Sequence, residues 1–262
     1  MPTKKQVFPS QLFLDILDLW KQRQTGLVKV FRWNHFSGRN NRWRKLILKI
    51  ESAIQSTCLF LRHPLVREQN CLQHTDALSW LMIIFVNMTK HDAPNLDYQL
   101  LLSIPPIHDE GEDILNRDIA FTVKNNGHDL AEYNAFRTRY ICLEKSMNGT
   151  FENLHRAFLL QFCLNIPENF SSSTKQLMTQ LAKNHNQEAR IFNALEHIDY
   201  ILFALEQYIC RGHIKILYEV VKKSMPILDD HAKHLPTLKK YLWTEEVQQN
   251  FTDFLKKHRD PI

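Results

Sequence analysis

Six glycines in 262 residues constrain this chain more than any other feature. The share is about 2%, against a usual ~7%. Gly26, Gly38, Gly111, Gly127, Gly149 and Gly212 are scattered, and no two lie close together. The motifs Gly-x-Gly-x-x-Gly, Gly-x-x-x-x-Gly-Lys-[Ser/Thr] and Gly-x-Ser-x-Gly are therefore impossible, which excludes glycine-loop nucleotide cradles and the usual nucleophile elbow. Tight hairpins need residues at positive φ, so the scarcity also argues against a hairpin-rich β fold. A glycine-poor chain rich in Leu, Gln, Glu, Lys and Phe reads as all-α.

The length allows one large domain, or a domain with extensions, with a sizeable buried core. A net charge of +5 suits anionic ligands but is too small to imply nucleic acid. Cys58, Cys71, Cys142, Cys163 and Cys210 are an odd, scattered set among apolar residues, with no Cys-x-x-Cys. They read as reduced core thiols and point to a cytoplasmic protein. The start, MPTKKQVFPS, has no apolar h-region, so no secretory signal is expected. The longest apolar runs, such as Trp80–Val86, fall far short of a membrane span.

Prolines divide the chain into helical units. Leu12, Phe13, Ile16, Leu17 and Trp20 predict a helix over 10–22, followed by a β-like stretch at Leu27–Trp33 and a second helix over 42–60. After Pro64 the pattern predicts a long helix at about 67–89 and a shorter one at about 96–104. Helices over Asp129–Met147 and Phe151–Leu164 follow, with Asp129 as an expected N-cap. Ser171–Thr174 reads as a linker. A long helix near 175–211, broken around Asn184–Asn186, ends at Gly212 in the position favoured for a left-handed cap. Helices near 213–224, 235–243 and 245–258 complete an all-α, multi-helix globule.

The dipeptide His-Asp occurs at His91-Asp92, His108-Asp109 and His128-Asp129. Only His108 directly follows an apolar helix, in LLLSIPPIHDEGED, where ionisable groups tend to be buried and need partners. His74 shares a helix face with Ala77, Leu78 and Leu81 at i+3, i+4 and i+7. Asp199 lies between Leu195 and Leu202 on an apolar face, where an uncompensated carboxylate is costly. A divalent ion bound by His74, His108, Asp109 and Asp199 would compensate all four groups.

The order His … His-Asp … Asp on well-separated helices resembles the HD-domain metal-dependent phosphohydrolases. Its surroundings are similar to the 5′-deoxynucleotidase branch. Arg62-His63-Pro64-Leu65-Val66-Arg67 and Arg67-Glu68-Gln69-Asn70 running to His74 match that branch's arginine-containing segments. His108-Asp109-Glu110-Gly111-Glu112 matches its His-Asp-x-x-Glu, and Arg117-Asp118-Ile119 its Gly-Asp-Ile. His63 and Arg117 depart from the family's aromatic and glycine. Pro105-Pro106 stands where the family helix is continuous, so a fresh helix is expected to start at that pair. The resemblance covers residues 60–215, which would form the HD core. Residues 1–59 would be an N-terminal helical extension and 216–262 C-terminal helices packed on the core.

What the resemblance implies is a nucleotidase removing the 5′-phosphate of (deoxy)ribonucleoside monophosphates, as a homodimer. It would use one divalent ion (Mn²⁺, Co²⁺, Mg²⁺, Zn²⁺ or Fe²⁺) on His74, His108, Asp109 and Asp199. Glu112 would be the general acid, Asp118 would lie near the attacking water and sugar, and Arg62 and Arg67 would bind phosphate. A small residue at Gly111 would leave room for substrate. Two other readings compete. His128, His155 and His185 offer ligands for a second metal, as in HD proteins acting on cyclic nucleotides or (p)ppGpp-like substrates. A catalytically decayed nucleotide-binding module is the other. The basic run Arg39–Lys45 around Trp43 reads more readily as a charged helix start than as a nucleic-acid contact.

Overall fold

A computed structural model describes residues 71–258, apart from 91–92, 94, 116–124 and 147. The elements expected at 10–22, 27–33 and 42–60 lie outside the described residues, as do the basic run, Arg62, Arg67 and Asp118. Among the described residues the regular structure is entirely helical: α1 (Cys71–Thr89), α2 (Tyr98–Ser103), α3 (Glu110–Leu115), α4 (Asn126–Ser146), α5 (Asn148–Leu160), α6 (Ser172–Asn184), α7 (Asn186–Arg211), α8 (Ile214–His234), a π-helical turn (Leu238–Leu242) and α9 (Glu245–Lys257). None of the described helices is long and apolar enough to cross a membrane.

The organising element is α7. It has 26 residues and is therefore about 39 Å long. Helices α1, α2, α6 and α8 all pack against it. A helix that is apolar on most of its circumference belongs inside a protein. Ile191, Leu195, Ile198, Leu202 and Leu205 are accordingly buried, with Phe192, Ala194, Ile201 and Ala204 beside them. From α1, Ala77, Leu78, Leu81, Met82 and Phe85 enter the same core, matching the helical spacing of the sequence. Each fully buried Leu or Phe contributes about 1.5–3 kcal/mol relative to exposure. The remaining helices form the other wall: α3 packs on α4, α4 on α5, and α5 on α2 and α6.

Several boundaries differ from the sequence reading. The Pro105-Pro106 pair opens no helix. The chain turns through 105–109, and α3 begins only at Glu110. Asp129 lies inside the first turn of α4, while the Asn125 carboxamide oxygen accepts from the amides of Gly127 and His128 at 3.0 and 3.3 Å. Ser171–Thr174 is a helix start rather than a linker. The Ser171 hydroxyl accepts from the Thr174 amide at 3.2 Å, and Thr174 is buried. Helix α8 runs ten residues beyond Ser224, straight through Pro226. Pro226 is exposed, so the carbonyl it leaves unbonded can meet water, while Val221, Ser224, Leu228, His231 and Ala232 hold the other face in the core. The stretch expected as a helix over 235–243 is a wider π turn, with the Trp243 amide donating to the Leu238 carbonyl at 2.7 Å. The expected stop at Gly212 is present: its φ is 73°, and its amide reaches back to the carbonyls of α7.

Candidate metal centre

His74 sits in the first turn of α1, on the face that Ala77, Leu78 and Leu81 bury. His108 and Asp109 close the turn between α2 and α3. Ile104 anchors that turn, accepting from the amides of Ile107 and His108, both at 2.9 Å. Gln161, just past α5, donates to the His108 carbonyl at 3.0 Å and fixes the turn from the far side. Asp199 and Glu196 lie one turn apart on α7, and Asp199 has no exposed surface. Three distant segments therefore meet: His74 is 34 residues from His108 and 125 from Asp199.

The hydrogen bonds fix the tautomers. His108 Nδ1 lies 2.7 Å from the Pro105 carbonyl, which can only accept, so the proton is on Nδ1. The double proline thus has a local role, since the turn it forces frees a carbonyl for this ring. His74 Nδ1 lies 2.7 Å from Asp199 Oδ2, so the ring proton there is also on Nδ1. With both rings neutral, the two Nε2 atoms would face one another at 3.3 Å, lone pair against lone pair. Asp109 adds further acceptors, with Oδ1 3.1 Å from His108 Nε2 and Oδ2 3.9 Å from His74 Nε2. Glu196 completes a group in which one ligand atom each from His74, His108 and Glu196 lie within 4.8 Å of one another.

Converging acceptors repel unless a proton or a metal cation lies among them. His74 shows the proton alternative. Burial alone would lower its pKa, but the Asp199 hydrogen bond and the charges of Asp199, Asp109 and Glu196 outweigh burial and raise it to about 9. A pull of that strength on a proton is a pull on any cation of suitable size. Two imidazoles with carboxylates suit first-row divalent ions. The residues present can hold such an ion on the Nε2 atoms of His74 and His108 and a carboxylate of Glu196. The hydrogen-bonded Nδ1 groups supply the outer support that metal-bound histidines usually have.

Tyr200 lines the same centre. Its ring stacks on His74 at 5.4 Å between centroids and 13° between planes. Its hydroxyl donates to Glu196 Oε1 at 2.9 Å. Burial, then the charges of Glu196 and Asp109, the Glu196 hydrogen bond and the charge of Glu112, hold the phenol well above its usual range, so it remains a donor. Glu112, on α3, is buried on this acidic side of the molecule. Gly111 beside it serves packing rather than substrate room. A Cβ there would meet the Glu132 carbonyl oxygen at 2.5 Å and its Cα at 2.7 Å, so only glycine lets α3 seat against α4.

The structure thus brings together His74, His108, Asp109 and Asp199, with Asp199 on the Nδ1 side of His74. Arg62, Arg67 and Asp118 lie outside the described residues. Of the three histidines considered for a second metal, His128 Nδ1 accepts from the Asn125 amide at 3.2 Å. His155 meets the Tyr133 hydroxyl at 3.2 Å, and His185 meets Arg156 at 2.9 Å. Among the described residues, none of the three joins a group able to hold a metal. Sequence reasoning missed Glu196 and Tyr200. The available signal was their spacing: Glu196 is at i−3 from Asp199, and Tyr200 at i+4 from Glu196, on one apolar helix. Compared with family models, curated proteins and solved structures, the chain matches none.

Proposed function

We propose that this chain is a metal-dependent phosphohydrolase of the HD-domain type, a nucleotidase that removes the 5′-phosphate of (deoxy)ribonucleoside monophosphates. The observation that carries the reading is the opposed pair of imidazole Nε2 atoms at 3.3 Å, with Asp109 and Glu196 beside them. That arrangement suits a metal cation in place of the proton, and its His … His-Asp order is the one the sequence resemblance rests on. A divalent ion held there would lower the pKa of a bound water and polarise a phosphoryl oxygen.

The chain's own residues take the other roles. Glu112 follows Asp109 by three residues, and in this reading it carries the proton that the leaving 5′-oxygen takes up. The groups acting on His74 and Tyr200 are acidic, namely Asp109, Glu112, Glu196 and Asp199, so this side of the site repels a phosphate dianion. The reading assigns the compensating charge to Arg62 and Arg67, whose guanidinium groups can clamp phosphate oxygens bidentately. Asp118 is assigned to the sugar and attacking-water side.

The test is phosphate release from a panel of ribo- and deoxyribonucleoside monophosphates with Mn²⁺, Co²⁺ or Mg²⁺, after elemental analysis has established bound metal. Release that depends on metal supports the reading. Metal-loaded protein that releases nothing from any substrate sinks it, and unaltered nucleotide recovered from such protein would mark a binding module instead.

A further inference from the structure

Tyr200 occupies a position that no ligand role explains. Its ring lies nearly parallel to His74 and packs edge-to-face with His197, at 5.7 Å and 86°. His197 is itself held through Nδ1 by the Ser224 hydroxyl of α8 at 3.0 Å, and both residues are buried. The phenol thus packs against both a candidate ligand ring and a ring anchored to the neighbouring helix. From that fixed place its hydroxyl reaches one helical turn back to Glu196 Oε1 at 2.9 Å.

We propose that Tyr200 is a positioning residue for the metal centre: by holding one oxygen of Glu196, it presents the other to the ion beside the His74 and His108 imidazoles. The proposal rests on the metal-centre reading above and adds the group that sets its geometry. A glutamate has three side-chain torsions and sits here beside Asp109 and Asp199. Left alone, its carboxylate would turn away from those like charges. The tyrosine hydroxyl offsets that repulsion on one oxygen and removes the freedom of the terminal torsion. The stacked ring simultaneously keeps the His74 plane from rotating. Glu196 is thereby a one-oxygen ligand whose direction is set before the ion arrives.

The experiment uses the full chain with Co²⁺ as the probe. Tyr200→Phe keeps the stacked ring and removes only the hydroxyl. Expected are a melting temperature without metal close to wild type, a 10–100-fold weaker Co²⁺ affinity, and altered visible d–d bands reporting a changed ligand field. Glu196→Gln weakens Co²⁺ at least as much. The double variant loses little beyond Glu196→Gln alone, because both changes act on one interaction. Glu196→Asp, which draws the carboxylate back from both the hydroxyl and the ion, is expected to weaken Co²⁺ at least as much as Tyr200→Phe. Wild-type affinity and spectrum in Tyr200→Phe overturn the proposal while leaving the metal centre standing. A wild-type chain that binds no Co²⁺ overturns the metal centre and this proposal together.

Discussion

Helix α7 supports two buried histidine sites that differ in kind. Near its middle, Asp199, Glu196 and Tyr200 face His74. Nearer its start, Arg190 and Asn193 face His231 of α8. His231 is fully matched: Nε2 donates to Asn193 Oδ1 at 2.8 Å, and Nδ1 accepts from Arg190 Nη1 at 3.2 Å. The same guanidinium reaches Asp230 at 2.9 Å, which sets its direction. Burial and the Arg190 charge push His231 down to about 4. His74 has Nδ1 matched by Asp199 and Nε2 facing the Nε2 of His108, a place that only a second proton or a metal cation fills, and it is raised to about 9. Burial is similar in the two cases, with 9% and 4% of the residue exposed. The difference teaches that depth does not separate a candidate ligand from a core residue, whereas the sign of the charge around it does: carboxylates surround His74 and a guanidinium faces His231. His155 agrees, since it is pushed down to about 4 by burial and Arg137 and is packed among Tyr133, Phe136 and Phe151.

The largest effect that could break this contrast is on activity. His108→Ala removes one of the opposed nitrogens, and phosphate release is expected to fall by about 10³-fold or more with loss of bound metal. Retained activity would mean that the facing Nε2 atoms are not the centre. A packing change comes next. Gly111→Ala forces a Cβ onto the Glu132 backbone, and urea unfolding should register about 2–3 kcal/mol of destabilisation. A neutral result would show that α3 can shift away from α4 at little cost.

Asp199→Asn sharpens the contrast by removing the charge behind His74 while keeping the shape of its partner. Co²⁺ affinity is expected to drop about 10–100-fold with the ion count unchanged, as for an outer-sphere partner. Complete loss of the ion would instead make Asp199 a direct ligand. The smallest effect belongs to the matched site. Between about 6.5 and about 4 the unfolded chain protonates His231 and the folded chain does not. Stability is therefore present in full above pH 6.5 and declines as pH falls toward 4. By pH 5 this amounts to about 2 kcal/mol. His231→Gln can keep both hydrogen bonds but cannot titrate, so chemical denaturation at pH 7 and pH 4.5 should show a shallower decline. An identical decline in wild type and variant would remove His231 as its source.

Much of the helical framework was legible along the chain. Apolar spacing marked the inward face of α1 at Ala77, Leu78 and Leu81, and polar residues around 184–186 marked the break between α6 and α7, which falls at His185. Local rules failed where distant contacts took over. The buried face of α8 carries it through Pro226, which local propensity reads as a stop. The Pro105-Pro106 pair suggested a helix start, yet its carbonyl serves the His108 ring. In the candidate centre, His74, His108, Asp109 and Asp199 were visible as polar groups on or beside apolar faces. Glu196 was not, because glutamate on a helix is ordinarily a solvated residue and its i−3 spacing from Asp199 is also common on solvated helix faces.

The sequence alone determined that the chain is helical, that it cannot cradle phosphate with glycine loops, and which histidines and aspartates are costly to bury without partners. These follow from composition and periodicity, which act within one or two turns of a residue. The tertiary structure decided which nitrogen of each ring carries its proton, which carboxylate stands beside the pair, and that Gly111 serves a helix contact. A proton's position on an imidazole is set by whatever acceptor lies within hydrogen-bond reach. For His74 that acceptor lies 125 residues away and comes within reach only once α1 and α7 have packed.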